Sequence, residues 1–373
     1  MSPTARHRTA AWPLAAVYAV LVVYASLYPF EGWRLQGIAP WSFLWAPWPR
    51  YWSRFDLVAN VLGYAPLGFF IALAWLRDPR RRRWAAVLLA LALCSALSLC
   101  MESLQMWLPR RVPSNADALL NALGALLGAL VARGLDAMGV LARWGRFRQQ
   151  WFGHQHAGAL TLLALWPLAL LFPAAVPFGL GQVLERLENT LAQWLEGTPW
   201  LEWLPLRDVE LQPMLPMAEL TCMVLGLLLP LLLAYSLVRG VRQRLLLAAV
   251  LGLAGVLASA LSAALTWGPA HAWAWLDAPT LRALLLAALL ALALLRLSPR
   301  AAVLLALIGL VWQLSMLNNA SASVYFVQNL QIWEQGRFIR FHGLIQWMGW
   351  LWPYGLLWHL VLRLMASPAR AQG

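Results

Sequence analysis

An all-α, polytopic bundle of transmembrane helices is the fold class this sequence predicts, and three observations carry that prediction. Of its 373 residues, 62% are hydrophobic and only 12% charged, against about 45–50% and about 25% in soluble domains. The mean hydropathy is +0.65, and the apolar residues fall in long runs. All 28 basic residues are arginines, clustered between those runs. Together these exclude a disordered, fibrous or nucleic-acid-binding chain and argue against a soluble enzyme. The net charge of +13 would fit a polyanion partner, but its distribution is that of membrane topology. Tryptophan, at 24 residues, concentrates near run ends, where an indole buries its ring and keeps its N–H wet.

A helix needs about 20 residues at 1.5 Å each to cross a core of about 30 Å. On that ruler ten spans are expected: Ala11–Leu27, Leu57–Leu76, Trp84–Leu104, Ala118–Ala132, Ala157–Val176, Leu215–Leu237, Leu245–Trp267, Leu281–Leu297, Ala301–Leu317 and Leu344–Leu364. The first has a basic start, but Tyr28-Pro29-Phe30 replaces a small-residue cleavage site, so it reads as a retained span rather than a leader. Arginines set the orientation. Arg6, Arg8, Arg77, Arg80–Arg83, Arg133, Arg143, Arg146, Arg148, Arg239, Arg242, Arg244, Arg296, Arg300, Arg363 and Arg370 all fall on one side if both termini are cytoplasmic. That is the positive-inside expectation for a multi-pass protein of a bacterial cytoplasmic membrane. Two modules follow: residues 1–135 with four spans and 157–373 with six, joined by a basic linker at 136–156.

The first module contains an echo. Asp56-Leu-Val-Ala-Asn60-Val-Leu-Gly63 opens the second span, and Asp117-Ala-Leu-Leu-Asn121-Ala-Leu-Gly124 opens the fourth, 61 residues on. In each, Asp stands at a helix start, where it can cap orphan N–H groups and meet the positive dipole end. Asn lies one turn deeper on the same face, and the glycine permits close approach of another helix. The plain reading is a cap and an interhelical hydrogen bond. The third span adds Glu102 and Gln105 on one face, followed by Arg111. An ionisable group such as Glu102 within a span is expensive unless it pairs or faces water. Arg111 is the natural bidentate partner for Glu102 or Asp117. Asp56, Asn60, Glu102, Gln105, Arg111, Asp117 and Asn121 therefore form a candidate ligand-binding cluster near the external surface, the alternative being a buried structural network.

These residues resemble the VanZ-like family of bacterial membrane proteins. The resemblance runs over about residues 15–132: Tyr24-Ala-Ser26-Leu-Tyr-Pro29-Phe30, Asp56-x-x-x-Asn60 with Pro66-Leu67-Gly68, Glu102-x-x-Gln105 then Arg111, and Asp117-x-x-x-Asn121-x-x-Gly124-x-x-x-Gly128. It implies a four-helix membrane domain and, for founding members, low-level resistance to the glycopeptide teicoplanin. Ser114 departs from the pattern, since members often carry an acidic residue there. The Arg-only, Ala/Leu/Trp-rich composition looks like a high-GC bacterial genome; in a Gram-negative source an envelope or polysaccharide role would replace glycopeptide resistance.

In the second module, Leu180, Leu184, Leu187, Leu191 and Trp194 recur at helical spacing opposite Glu185, Glu188, Asn189 and Gln193. That predicts an amphipathic helix in the external loop 177–213, lying on the interface or acting as a lid. The last external loop gathers Asn318-Asn319, Gln328-Asn329, Gln331, Glu334-Gln335 and Arg337–His342 beside Trp333, Trp347, Trp350 and Trp352. Interface anchoring explains such tryptophans, with carbohydrate contact as the alternative. No nucleotide-binding, zinc-protease or nucleophile-elbow motif occurs. No cofactor or metal is expected. Expected partners are the bilayer, a lipid-linked saccharide or cell-wall precursor, and other membrane proteins, with no nucleic acid. The leading function is binding or acting on an envelope component at the external leaflet. The alternatives are a membrane-embedded enzyme on a lipid-linked saccharide, a transporter or flippase, and a scaffold.

Overall fold

Long alanine- and leucine-rich runs can satisfy every backbone hydrogen bond internally only as helices, and helices are what they form. The computed structural model describes residues 11–28, 30, 32–48, 54–76, 82–152, 157–203, 211–321 and 339–365. Among them there is no strand, only an isolated bridge between Gln212 and Ala320. The protein is an all-α, polytopic helical bundle. Arg77 to Arg81, Asp208, Glu210 and the polar stretch 322–338 lie outside the described residues, as do the side chains of Asp56 and of 339–344.

The chain divides into two compact units, Met1–Gln150 and Trp151–Gly373. The first holds α1 (Ala11–Leu27), α2 (Arg54–Leu76), α3 (Arg83–Gln105), α4 (Asn115–Ala137) and α5 (Val140–Phe152), the last running just past the division. The second holds α6 (Ala157–Ala169), α7 (Leu184–Leu195), α8 (Pro216–Leu237), α9 (Val241–Trp267), α10 (Ala278–Ala293), α11 (Pro299–Asn318) and α12 (Ile339–Met365). Among the described residues, seven helices (α2, α3, α4, α8, α9, α10 with its 3-10 extension to Arg296, and α11) are long and apolar enough to cross a membrane, and α1 and α6 are shorter apolar helices.

Exposure is inverted relative to a soluble protein, as a lipid solvent permits. Leu253, Leu285 and Leu289 are each more than 60% exposed. By contrast α8 is buried on all sides, with an unbroken run from Gly226 to Leu237 inside the second unit. It is the axis around which α6, α9, α10 and α11 stand.

In the first unit α2 and α4 press backbone against backbone. A Cβ on Gly124 would collide with the Val61 carbonyl, on Gly128 with the Ala65 carbonyl, and on Gly68 with the Ala125 carbonyl. These pairs are 63, 63 and 57 residues apart, so the two helices run parallel in a register centred near the 61-residue echo. Gly63, the counterpart of Gly124, faces open space; close approach is asymmetric although the sequence echo is not.

Two expectations need correction. The fifth apolar run was expected to stay helical to Val176, but α6 stops at Ala169. Pro167 and Pro173 flank the stop, and proline removes a donor and clashes with the preceding turn. The amphipathic helix begins at Leu184, and Leu180 is not part of it but buried in the core. The α7 helix exposes Leu187 and Trp194, leaving an apolar face uncovered within its unit.

Candidate functional site

The end of the first unit where α1 and α3 finish and α2 and α4 begin collects the polar groups singled out in the sequence. Ser114 is the N-cap of α4, its Oγ accepting from the Ala116 N–H at 3.2 Å. The expected cap, Asp117, sits instead in the first turn, where its charge still meets the positive helix end. Asp117 Oδ1 accepts from Asn60 Nδ2 at 2.7 Å, tying α2 to α4 through one residue of each echo copy. The same alignment places Ser53 opposite Ser114, so both copies read Ser-x-x-Asp-x-x-x-Asn, a capping signal that is visible in the sequence once the two copies are aligned from the serine. Asp56 belongs to the first turn of α2 by its backbone.

Glu102, only 4% exposed, accepts from the Ser114 backbone N–H at 2.9 Å. Its carboxylate thus stands at the α4 N-terminus, where the Ser114 backbone N–H donates to it while the Ser114 hydroxyl caps the helix. Arg111, expected to answer Glu102 or Asp117, directs Nη2 to the carbonyls of Ala25 and Tyr28. Gln105 Nε2 donates to the Ser26 carbonyl at 3.1 Å. Both therefore satisfy orphan carbonyls at the C-terminus of α1, where a cation is also favoured by the dipole. One turn deeper, buried Asn121 donates to Ser98 Oγ at 2.9 Å, and its Oδ1 is buried with no hydrogen-bond partner. Glu102, Asp117 and Asn60 thus meet around the start of α4, Gln105 and Arg111 gather at the end of α1, and Asn121 faces α3.

Residues 32–48, which carried no expectation, attach to this same end. The Arg34 N–H reaches the Trp107 carbonyl, Gln36 reaches the Met106 carbonyl, and Asn115 reaches the Ala46 carbonyl. Phe43 is buried, while Trp41, Trp45 and Trp48 are exposed, as in an interfacial tryptophan belt. Among the described residues no three His, Cys, Asp or Glu side chains converge as a metal site requires.

The arrangement and the sequence agree with a comparison to known families: residues 6–139 match the family described as VanZ/LLP1. The first unit is a VanZ-like domain. The match covers 134 of the 373 residues and none of the second unit's described helices. Neither curated proteins nor solved structures yield a match to the chain. Within the VanZ-like domain, Asp117 and the Gly-x-x-x-Gly residues of α4 are those that grip α2, Asn121 reaches α3, and the Glu-x-x-Gln pair of α3 binds the ends of α4 and α1.

Proposed function

We propose that the VanZ-like domain binds a polar group of a cell-envelope component at the external leaflet of a bacterial cytoplasmic membrane. The observation carrying this reading is the layer of Glu102, Asp117 and Arg111 among helix ends. Capping alone is served by neutral groups such as Ser114 and Gln105. Glu102 is buried and Asp117 and Arg111 are half-buried, and the cost of placing charge there is offset by their hydrogen bonds to Ser114, Asn60, Ala25 and Tyr28. Charges held in fixed positions by these bonds can orient a ligand's hydroxyl, amide or phosphate groups. A second reading is favoured by a different observation. Gln105 and Arg111 donate to backbone carbonyls of α1, which is what a structural keystone supporting a scaffold would do.

Glu102→Gln and Asp117→Asn separate the two, because each keeps shape and deletes charge. At equal membrane abundance, measured by quantitative immunoblot, both variants are expected to lose the teicoplanin tolerance or envelope phenotype that the wild type confers on a null host. Wild-type phenotype from both variants would hand the cluster to the structural reading. Arg111→Leu strands the Ala25 and Tyr28 carbonyls, so it is expected to lower abundance as well as phenotype and serves as the control for a structural defect.

A further inference from the structure

The second unit contains a cavity of about 370 Å³ at the end where α8 and α10 begin and α9 finishes, opposite its turn at Arg239–Arg244. Its wall is the irregular stretch that follows α6. At 13 residues, α6 is about 20 Å long, short of a core of about 30 Å. The chain then continues as Phe172-Pro173-Ala-Ala-Val-Pro177-Phe178, non-helical yet buried at Phe172, Val176 and Phe178. Phe178 holds a left-handed backbone, φ +65°, and a Cβ on Gly226 of α8 would collide with its carbonyl. Strained backbone persists where its surroundings over-determine it. In membrane proteins, irregular backbone of this kind is tolerated inside protein or along a cavity.

The chemistry of the walls selects the ligand. Glu219, half-buried in the first turn of α8, and Asp277, the N-cap of α10, supply two carboxylates. None of the described lining residues is basic. The α8 and α10 N-termini oppose this field with about half a positive charge each, which leaves about one net negative charge. One Asp277 oxygen is engaged by the Thr280 N–H, and the Ser262 hydroxyl is spent on the Leu171 carbonyl. Aromatic faces complete the walls: Trp275 meets Phe178 edge-on at 5.7 Å, and Trp267 lies at the end of α9. The buried Trp275 Nε1–H has no hydrogen-bond partner and, being a donor only, is suited to an oxygen of the ligand rather than to its ammonium. Carboxylate plus aromatic faces is the combination that attracts a desolvated organic cation. The volume lies near the lower end of the about 300–1,000 Å³ of small-molecule sites.

We propose that this cavity is a binding site for a small organic ammonium group, supplied by an aminophospholipid headgroup or by a free amine. It stands independently of the role proposed for the VanZ-like domain. Native mass spectrometry of the full-length protein in detergent, titrated with phosphatidylethanolamine and with phosphatidylglycerol, tests it. The wild type is expected to retain phosphatidylethanolamine with at least about tenfold tighter apparent Kd, the scale of one charge-assisted contact. Glu219→Gln should erase that preference, and Glu185→Gln on α7, outside the cavity, should keep it. Ser259→Trp, which fills the cavity, should also erase it; if that variant fails to elute as one species, the isosteric Glu219→Gln carries the test alone. Competition by free ethanolamine at concentrations near the lipid's Kd would assign the site to a soluble amine, and lack of competition to the lipid headgroup. Equal retention of phosphatidylglycerol, or an unchanged preference in Glu219→Gln, would overturn the proposal.

Discussion

Arg244 illustrates how one side chain can serve two physical demands. As a basic residue between α8 and α9 it belongs to the arginine pattern, yet it is only 2% exposed. Its Nε donates to the Val238 carbonyl at 2.9 Å and its Nη2 to Tyr235 at 2.8 Å. Its Nη1 reaches Leu297 at 2.6 Å and Leu295 at 2.7 Å. The guanidinium therefore satisfies orphan carbonyls around the ends of α8 and α10, a task its planar fork suits and a lysine's point charge does not. Arg244→Leu should strand several buried acceptors at about 1–3 kcal/mol each, and Arg244→Lys should recover only part of that. Thermal unfolding in detergent, followed by circular dichroism, is expected to rank wild type above Lys and Lys above Leu. Equal midpoints for all three would mean that water replaces the guanidinium. Asn318 plays a similar part, accepting from the Val183 and Leu184 N–H groups at 3.0 Å and donating to Gly181. It was expected in the polar final external loop, for which carbohydrate contact was the alternative reading, but it is buried and anchors the start of α7.

The α2–α4 pair carries the architecture of the VanZ-like domain. Helices in lipid gain no hydrophobic drive toward each other, so close backbone approach and interhelical hydrogen bonds must hold them. Gly124, Gly128 and Gly68 supply the first and Asn60 with Asp117 the second. Gly124→Val and Gly128→Val should separate the pair and abolish a monodisperse peak in size-exclusion chromatography. Gly63→Ala places its methyl in open space and removes the helix penalty of glycine, about 0.5–1 kcal/mol, so it should raise the unfolding midpoint. If Gly63→Ala proved as damaging as Gly128→Val, the echo would be symmetric in contact as well as in sequence.

For the molecule as a whole, the prediction concerns sidedness. The arginine-rich turns and both termini should be cytoplasmic, and the polar layer of the VanZ-like domain and the cavity of the second unit should both face outward. Single cysteines at Arg82, Asn115 and Ala272, in a chain whose Cys94, Cys100 and Cys222 are replaced by serine or alanine, check this with a membrane-impermeant maleimide on intact cells. Labelling at 115 and 272 but not at 82 is expected. External labelling at 82 would reverse the orientation and with it the proposed external site.

Much of this was legible in the residues alone, because bilayer thickness and backbone hydrogen bonding leave few options. Apolar run length predicts α8, α9 and α11 to within a few residues. Composition predicts the helical class, and the spaced motifs predict the VanZ-like domain. Spacing likewise places Glu102, Asp117 and Asn60 near one another, since the echo puts them at helix ends of one level. What only the tertiary structure decided is where each polar group spends its hydrogen bonds. Arg111 turns to α1, Ser114 rather than Asp117 caps α4, and Gly124 but not Gly63 meets a neighbour. The cavity beside Glu219 was invisible for the same reason. Its walls come from α8, α9, α10 and a broken α6, segments far apart in the chain, and no local period encodes which of them will meet.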